Sequence, residues 1–541
     1  MRMVRGLLSC ALLLGLASAA MAEKPAESAA PAKSAEAAKA SPDRAGLFQP
    51  EEALSEGSVT VGGGRIDYRA AAGTLVVHPK DWDDAAPRAP STDKDEAPAE
   101  ASMFYAAYFK KGAPAPDRPI TFLFNGGPGS STVWLHMGAF GPQRVVTADE
   151  AHTPAAPYRV IDNASSLLDV TDLVFIDAPG TGFSRIAGKD KEKSFYGIDA
   201  DAAAFSAFIK QFLSKYQRWN SPKFVFGESY GTPRAAVMAA DLQNSDSIDL
   251  NGVMMLSATL NFDLWGDAPQ FNPGNDLPYI VMLPTFAATA WYHNRLPGGR
   301  SAQLEQFLAE VQHFATTEYA AALIQGADLP ADQRAAIAAK LAGYTGLSTA
   351  YILKANLRIN VGQFTRNLSD EVGLTVGRLD TRFAGPSLDV LSREAEYDPQ
   401  ATAISSAYVS AFNDYVRTRL HYGEGKAFKL YADVGDWNLA HQPPGASSPV
   451  SGAANVLPDL ANAMKTNPGL KVLVLGGYYD LATPYAEGQY AMRHLPIPAD
   501  LRGNIDFHYY PSGHMVYAHE PSLKLLHDDI AAFVRKASAH K

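Results

Sequence analysis

The amino-acid sequence predicts an α/β fold with a mostly parallel central sheet, helices on both of its faces, and a mainly helical cap inserted into it. Short apolar runs alternate with helical stretches in two parts of the chain, residues 58–261 and 451–541. Such alternation is typical of parallel strands that are buried on both faces. The alternation stops over residues 262–450, where amphipathic helical patterns such as 301–325 and 331–344 appear. We therefore expect two parts of one core and a helical cap over the carboxyl edge of its sheet.

The strands of this core can be placed individually. Glycine-containing alternation of apolar and polar residues over 58–78 indicates a hairpin at its start. Seven apolar runs follow as predicted strands: 102–109, 119–125, 172–177, 223–228, 252–258, 471–477 and 505–510. In an open α/β sheet, ligands bind where the carboxyl ends of the parallel strands meet. Reactive side chains just after these runs are therefore the candidates for a functional site.

The N-terminal residues have a different composition from the core. Residues 1–22 combine two arginines, a short apolar run and small residues before a cleavage point, which predicts a secretory signal peptide and an exported protein. Residues 23–57 are rich in Ala, Pro, Lys and Glu, which predicts a disordered tether. The single cysteine, Cys10, lies within the signal peptide, so the mature chain would contain no disulfide.

Charge and composition exclude several classes of partner. The formal net charge is −10, and it becomes −12 when residues 1–22, which contain two arginines and no acidic residue, are removed. A negative chain without basic clusters does not indicate nucleic-acid binding. No later apolar run approaches the length of a transmembrane helix, so we expect no membrane anchor in the mature chain.

A serine between two glycines follows the predicted strand 223–228. The segment Gly227-Glu228-Ser229-Tyr230-Gly231 fits a sharp strand–turn–helix that exposes the hydroxyl of Ser229 at the sheet edge. The alternative is a glycine-bracketed turn that happens to contain a serine. The motif therefore needs a base, an acid and an oxyanion site elsewhere in the chain.

An aspartate and a histidine follow two later predicted strands. Asp480 comes just after 471–477, and His514 comes just after 505–510. Taken singly, the aspartate could be a turn former and the histidine a surface group. A serine, an aspartate and a histidine in this chain order, each just past a strand, match the α/β-hydrolase arrangement. His514 and His519 do not have the spacing of a metal site, so we expect no metal. A hydrolase that works through an acyl-enzyme on a serine is also expected to use no organic cofactor.

A glycine-rich loop follows the predicted strand 119–125. Its residues, Asn125-Gly126-Gly127-Pro128-Gly129, allow a carbonyl oxygen to approach main-chain N–H groups closely, as an oxyanion hole requires. A plain glycine-rich turn is the alternative interpretation. The strand at 172–177 runs into a similar loop.

Together these segments resemble the serine carboxypeptidase family. Residues 125–129 resemble its NGGPG segment, and residues 177–184 resemble its DxPxGTGFS segment. Residues 227–231 are similar to its GESYG elbow, while 513–516 with Pro521 resemble its GHMVxxxxP tail. The segments occur in the family's order, which is far more specific than any one of them.

The resemblance implies a role for each matching residue. Ser229, Asp480 and His514 would form the catalytic triad. The N–H groups of Gly127 and Tyr230 would form the oxyanion hole.

A binding site for the substrate's free terminal carboxylate is also implied, formed by Asn125 and Glu228. An amide can donate to a carboxylate, and so can a protonated glutamic acid, whereas an ionised one would repel it.

Two departures from the family pattern stand out. The cysteine of the family's NGGPGCSS is replaced by Ser130. Ala139 stands where the family usually has a glutamate, two residues before the closing Gly141-Pro142. In the family that glutamate shares a proton with the glutamate of the elbow. Without it, we expect Glu228 to ionise near its reference value, about 4.3, unless local burial raises its pKa.

The sequence therefore predicts an exported serine carboxypeptidase that acts on peptides with a free C-terminus through an acyl-enzyme. A serine esterase or an acyltransferase of the same fold is the first alternative, because Ala139 puts strict carboxylate recognition in doubt. A secreted binding protein with an inactive site is the second, and the presence of all three triad residues opposes it.

Overall fold

The computed structural model describes residues 46–83, 96–300, 303–450 and 452–539. The predicted signal peptide, residues 1–22, lies outside the described residues, and so does the first part of the predicted tether. No helix in the described ranges is both long and apolar enough to cross a membrane.

Strands and helices alternate along much of the described chain. The strands are β1 (Glu52–Val61), β2 (Gly64–Val77), β3 (Glu100–Lys110), β4 (Ile120–Phe124), β5 (Gln143–Val145), β6 (Val160–Asp162), β7 (Asp172–Ile176), β8 (Arg185–Ala187), β9 (Lys223–Glu228), β10 (Gly252–Leu256), β11 (Leu374–Val376), β12 (Ala384–Pro386), β13 (Lys471–Gly477) and β14 (Ile505–Tyr510). The α-helices are α1 (Lys191–Phe195), α2 (Ile198–Lys215), α3 (Gly231–Asp246), α4 (Leu277–Tyr292), α5 (Leu304–Phe314), α6 (Ala320–Gln325), α7 (Ala331–Thr345), α8 (Thr349–Lys354), α9 (Val361–Asn367), α10 (Pro399–Thr418), α11 (Leu457–Thr466), α12 (Tyr485–Arg493) and α13 (Glu520–Ser538).

One large twisted sheet forms the centre of the molecule. Its strand order is β1-β2-β3-β7-β4-β9-β10-β13-β14, and β8 pairs with β3 beside this path. The neighbours from β7 to β14 pair in parallel, whereas β1, β2, β3 and β8 pair antiparallel. The seven predicted strands are all present, with ends that differ by no more than two residues from the prediction. The predicted α/β class is confirmed.

Helices cover both faces of this sheet. One buried apolar cluster joins the sheet to α2, α3 and α11. A second cluster on the other face includes α10, α13 and a π-helical turn, Leu135–Phe140. The five neighbouring strands from β7 to β13 in the sheet order are almost wholly buried, as parallel strands between two helical layers must be.

A third apolar cluster belongs to the cap. It contains side chains of α4 to α9, between Tyr279 and Val376, and a few residues of the loop and helix after β13. The cap thus has a core of its own and rests on the carboxyl edge of the sheet, beside the loop that contains Asp480.

Two predicted boundaries are wrong. The predicted tether, 23–57, ends too late, because β1 begins at Glu52 and pairs along its whole length with β2. Its outer position in the sheet lets this strand remain polar and half exposed, so its composition resembles that of a tether. The predicted cap, 262–450, also extends too far. Helix α10 contributes Tyr408 and Phe412 to the apolar cluster on the sheet, so it belongs to the core.

Candidate functional site

Ser229 occupies a tight turn between β9 and α3. Its φ of 60° is a left-handed conformation that non-glycine residues rarely adopt. A Cβ on Gly227 would lie 2.0 Å from the carbonyl oxygen of Gly231, so the backbone crosses itself too closely for any side chain there. The glycines around the serine are therefore required by the turn, and they leave Ser229 partly exposed at the carboxyl edge of the sheet.

The loops after β13 and β14 bring Asp480 and His514 together. Nδ1 of His514 lies 2.8 Å from Oδ2 of Asp480. The other oxygen of Asp480 accepts hydrogen bonds from the backbone N–H groups of Ala482 and Thr483, at 2.8 and 3.0 Å. Because Asp480 is fully buried and held by these donors, its carboxylate has a fixed orientation towards the imidazole.

Burial and charge act in opposite directions on His514. Burial alone would lower the pKa of its imidazole, but the charge and hydrogen bond of Asp480 outweigh burial, so the pKa lies above its usual value. Glu228 raises this pKa and Arg378 lowers it. An imidazole in this environment can accept a proton and be stabilised as the imidazolium.

Ser229 and His514 line the same cavity, of about 190 Å³. The structure describes both side chains, and no hydrogen bond joins Ser229 to His514. Such bonds are often long or poorly aligned before a substrate is bound. Gly127 and Tyr230 also line this cavity. A Cβ on Gly126 would lie 2.3 Å from the backbone nitrogen of Tyr230, so the glycine-rich loop packs directly against the turn that contains the serine.

Asn125 and Glu228 lie at the buried end of the cavity. Both side chains are 3 % exposed. The hydroxyl of Tyr517 donates to the two oxygens of Glu228, at 2.9 and 3.2 Å. Burial raises the pKa of Glu228 to about 7, although His514, Tyr517 and Asn125 act to lower it.

The reference value of about 4.3 therefore does not hold for Glu228, because burial, the expected exception, raises its pKa. The sequence showed that its carboxyl partner was absent, since Ala139 replaces the family's glutamate. It did not show that the residue would be fully enclosed, which disfavours the charged form without any partner.

The sequence profile of the serine carboxypeptidase family matches residues 94–516, which include Ser229, Asp480 and His514 and the strands that precede them. This match covers most of the chain. The chain belongs to the serine carboxypeptidase family.

Individual relatives match over shorter stretches. The chain is 30 % identical to a pheromone-processing carboxypeptidase of Yarrowia lipolytica over 142 residues, which are 26 % of this chain and 21 % of the relative. It is 25 % identical to serine carboxypeptidase-like 50 of Arabidopsis thaliana over 46 % of this chain and 50 % of that protein. The matched stretches thus span half or less of these relatives.

The solved structures that match this chain are more distant in sequence. A proline iminopeptidase of Mycobacterium smegmatis is 15 % identical, with a TM-score of 0.32 over 90 % of this chain and 99 % of that chain. A monoglyceride lipase of Saccharomyces cerevisiae is 10 % identical, with a TM-score of 0.33 over 85 % of this chain and all of that one. Scores this low support no closer relationship.

Some residues of this carboxypeptidase-family site were not found from the sequence. The hydroxyl of Thr483 lies 2.7 Å from Oδ2 of Asp480 and 3.1 Å from Nδ1 of His514. Tyr517 provides the partner of Glu228, and Arg378 of the cap lines the cavity. Thr483 and Tyr517 each lie three residues after a predicted triad residue, which was the only available signal. Arg378 had none, because it reaches the cavity from a distant part of the chain.

A buried ion pair supports the serine turn from below. Arg234 of α3 and Asp201 of α2 are both fully buried, with Nε and Oδ2 2.6 Å apart. Nη1 of the same arginine donates to the backbone oxygen of Asn125 at 2.8 Å. One guanidinium thus ties the helix after Ser229 to the glycine-rich loop.

No group of three or more potential metal ligands occurs in the described parts of the chain.

Proposed function

We propose that this protein is a serine-type carboxypeptidase that releases residues from the C-terminus of peptides through an acyl-enzyme. The observation that carries this proposal is the position of Glu228, a buried carboxyl that directly precedes Ser229 and whose pKa is raised by burial to about 7. A protonated acid can donate a hydrogen bond to a terminal carboxylate. Recognition of a free carboxylate beside the nucleophile would restrict cleavage to the last peptide bond.

In this proposal His514 removes the proton of Ser229 as its oxygen attacks the scissile carbonyl carbon. Asp480 fixes the imidazole orientation and stabilises the imidazolium. The N–H groups of Gly127 and Tyr230 stabilise the oxyanion of the tetrahedral intermediate. His514 then gives its proton to the departing amine, the C–N bond breaks, and an ester to Ser229 remains. Water hydrolyses that ester by the same steps, with His514 again as base.

Asn125 and Glu228 would hold the carboxylate of the leaving residue. Oδ1 of Asn125 accepts from the backbone nitrogen of Leu135 at 3.1 Å, so the NH₂ end of the amide faces Glu228, with which Asn125 also interacts. This contact supports the assignment of the amide as a donor.

A serine esterase or an acyltransferase is the second candidate, and Ala139 favours it. A site with one carboxyl instead of a proton-sharing pair depends on pH more strongly for carboxylate binding, whereas an ester substrate needs no such binding.

A fluorophosphonate probe and matched peptides test the proposal. We expect the probe to label the wild-type protein and not Ser229→Ala, which should keep its melting temperature. Peptides with a free C-terminus should lose their last residue, detected by mass spectrometry, while the same peptides with a C-terminal amide should be cut far more slowly. Equal cleavage of both, or cleavage of esters alone, would support the second candidate. Absence of labelling would contradict both.

We also propose that residues 1–22 direct export. N-terminal sequencing of protein recovered outside the cytoplasm should then begin near Glu23, and recovery of the chain with Met1 intact would contradict this.

A further inference from the structure

A loop of the cap contacts both loops that contain the base and the acid. This loop, residues 377–383, is the tip of the hairpin formed by β11 and β12, and we call it the strap. Its ladder is closed by a hydrogen bond from the nitrogen of Gly377 to the oxygen of Phe383, at 2.8 Å. The strap therefore projects from the cap as a defined hairpin tip.

Three main-chain hydrogen bonds join the strap to the catalytic loops. The nitrogen of His514 donates to the oxygen of Leu379 at 2.7 Å. The nitrogen of Leu481 donates to the oxygen of Arg378, and the nitrogen of Thr381 donates to the oxygen of Tyr479, both at 3.0 Å. The residues on both sides of Asp480, and His514 itself, are thus bonded to one short segment of the cap.

The contact between the strap and the histidine loop is also close in space. A Cβ on Gly513 would lie 2.3 Å from the Cβ of Asp380. Asp380 is fully buried and is paired with Arg382, with Nη2 and Oδ2 2.7 Å apart. The strap is therefore packed against the residue before His514 without room for adjustment.

One side chain of the core fixes the strap. Oδ2 of Asp398 accepts from the backbone nitrogens of Arg378 and Leu379, at 2.7 and 2.8 Å. Oδ1 of Asp398 accepts from the nitrogen of Ala401 at 2.7 Å and so caps the N-terminus of α10. Hydrogen bonds to a charged acceptor are stronger than those between neutral groups. Asp398 thus holds the two residues whose carbonyl oxygens hold the catalytic loops.

We propose that Asp398 is a positioning residue of the catalytic site. Through the strap, it sets the distance and orientation of His514 relative to Asp480, and it makes the active geometry depend on the docked cap. This inference rests on the proposed function, because it assigns Asp398 a role in the same reaction. This positioning role can be distinguished from a purely structural one. A substitution can remove the two hydrogen bonds to the strap and still keep the helix cap at Ala401.

Asp398→Ser separates the two contributions. A serine is a good N-cap residue, so α10 keeps its cap, but its side chain is one atom shorter and lacks the second oxygen that reaches the strap. Displacement of a catalytic group by about 1 Å can cost a hundred-fold in rate. We expect the rate constant for fluorophosphonate labelling of Ser229, and kcat for a good substrate, to fall by about ten-fold or more, with KM little changed.

The pH profile gives a readout that loss of folded protein would not change. Asp480 and Glu228 raise the pKa of His514, whereas burial and Arg378 lower it. If the strap no longer holds His514 against Asp480, the acid limb of the labelling rate should move to lower pH in Asp398→Ser. Asp398→Glu, which keeps the charge, should restore part of the rate.

Ser348→Ala is the matched control. Ser348 caps α8 within the cap, where its side chain accepts from the nitrogen of Tyr351 at 3.2 Å. It should lower the melting temperature without changing the labelling rate or the acid limb. The proposal is overturned if wild type and Asp398→Ser are labelled at the same rate with the same acid limb. Failure of the wild type itself to be labelled would instead contradict the proposed function.

Discussion

Replacing Glu228 with glutamine should remove the pH dependence of peptide binding. Burial raises the pKa of Glu228 to about 7, and only its protonated form can donate to a substrate carboxylate. The protonated fraction is then about nine-tenths at pH 6 and about one-tenth at pH 8. When only a fraction of the protein can bind, the apparent dissociation constant increases by the inverse of that fraction. KM for a peptide with a free C-terminus should therefore rise by about ten-fold from pH 6 to pH 8.

The assay compares a peptide with a free C-terminus and the matching ester over this pH range. The ester has no carboxylate, so its KM should stay flat. Deprotonation of His514 raises kcat for both substrates, so its effect cancels when the peptide is compared with the ester. This comparison is needed because His514 and Glu228 influence each other's titration. In Glu228→Gln the amide can donate at every pH, so the peptide KM should also become flat.

Tyr517→Phe provides a directional control. The hydroxyl of Tyr517 donates to Glu228 and lowers the pKa of that carboxyl. Its removal should raise this pKa further and shift the increase in peptide KM to higher pH. Parallel profiles for peptide and ester in the wild type would refute the reasoning. They would mean that Glu228 does not bind the substrate carboxylate, and they would favour the esterase.

Three other substitutions test separate parts of the structure. Thr483→Val removes the hydroxyl that donates to Asp480. Because hydrogen bonds to charged groups contribute about 1.5–3 kcal/mol, kcat should fall by about ten-fold or more while KM changes little. An unchanged kcat would exclude a role for this hydroxyl. Gly126→Ala places a methyl group 2.3 Å from the nitrogen of Tyr230, so fluorophosphonate labelling should be abolished or much slowed, and wild-type labelling would show that the loop can shift freely. His441 bonds to two aspartates, and these bonds outweigh burial and raise its pKa to about 9, so its contribution to stability is complete below pH 6.5 and is lost as the pH rises through 9. The difference in melting temperature between wild type and His441→Asn should therefore shrink from pH 6 to pH 10, and a constant difference would contradict the pKa shift.

Much of the fold could be predicted because the signals are local. A buried parallel strand needs an uninterrupted apolar run, and β9 and β13 occur where such runs end in glycine-containing loops. The edge strand β1 has no such requirement, because it is half exposed, and its first residues were assigned to the tether. The end of the cap was misplaced for a related reason. The apolar stripe of α10 is compatible with packing on either the cap or the sheet, and the stripe alone does not identify its partner.

The amino-acid sequence by itself determined which reactive residues follow which strands, and so it predicted the order of Ser229, Asp480 and His514 at one edge of the sheet. This was possible because strand ends and glycine turns depend on a few neighbouring residues. Only the tertiary structure decided the environment of Glu228 and the attachment of the strap. Both depend on segments about a hundred residues or more apart in sequence, whose contacts are set by the packing of cap and core rather than by local conformation.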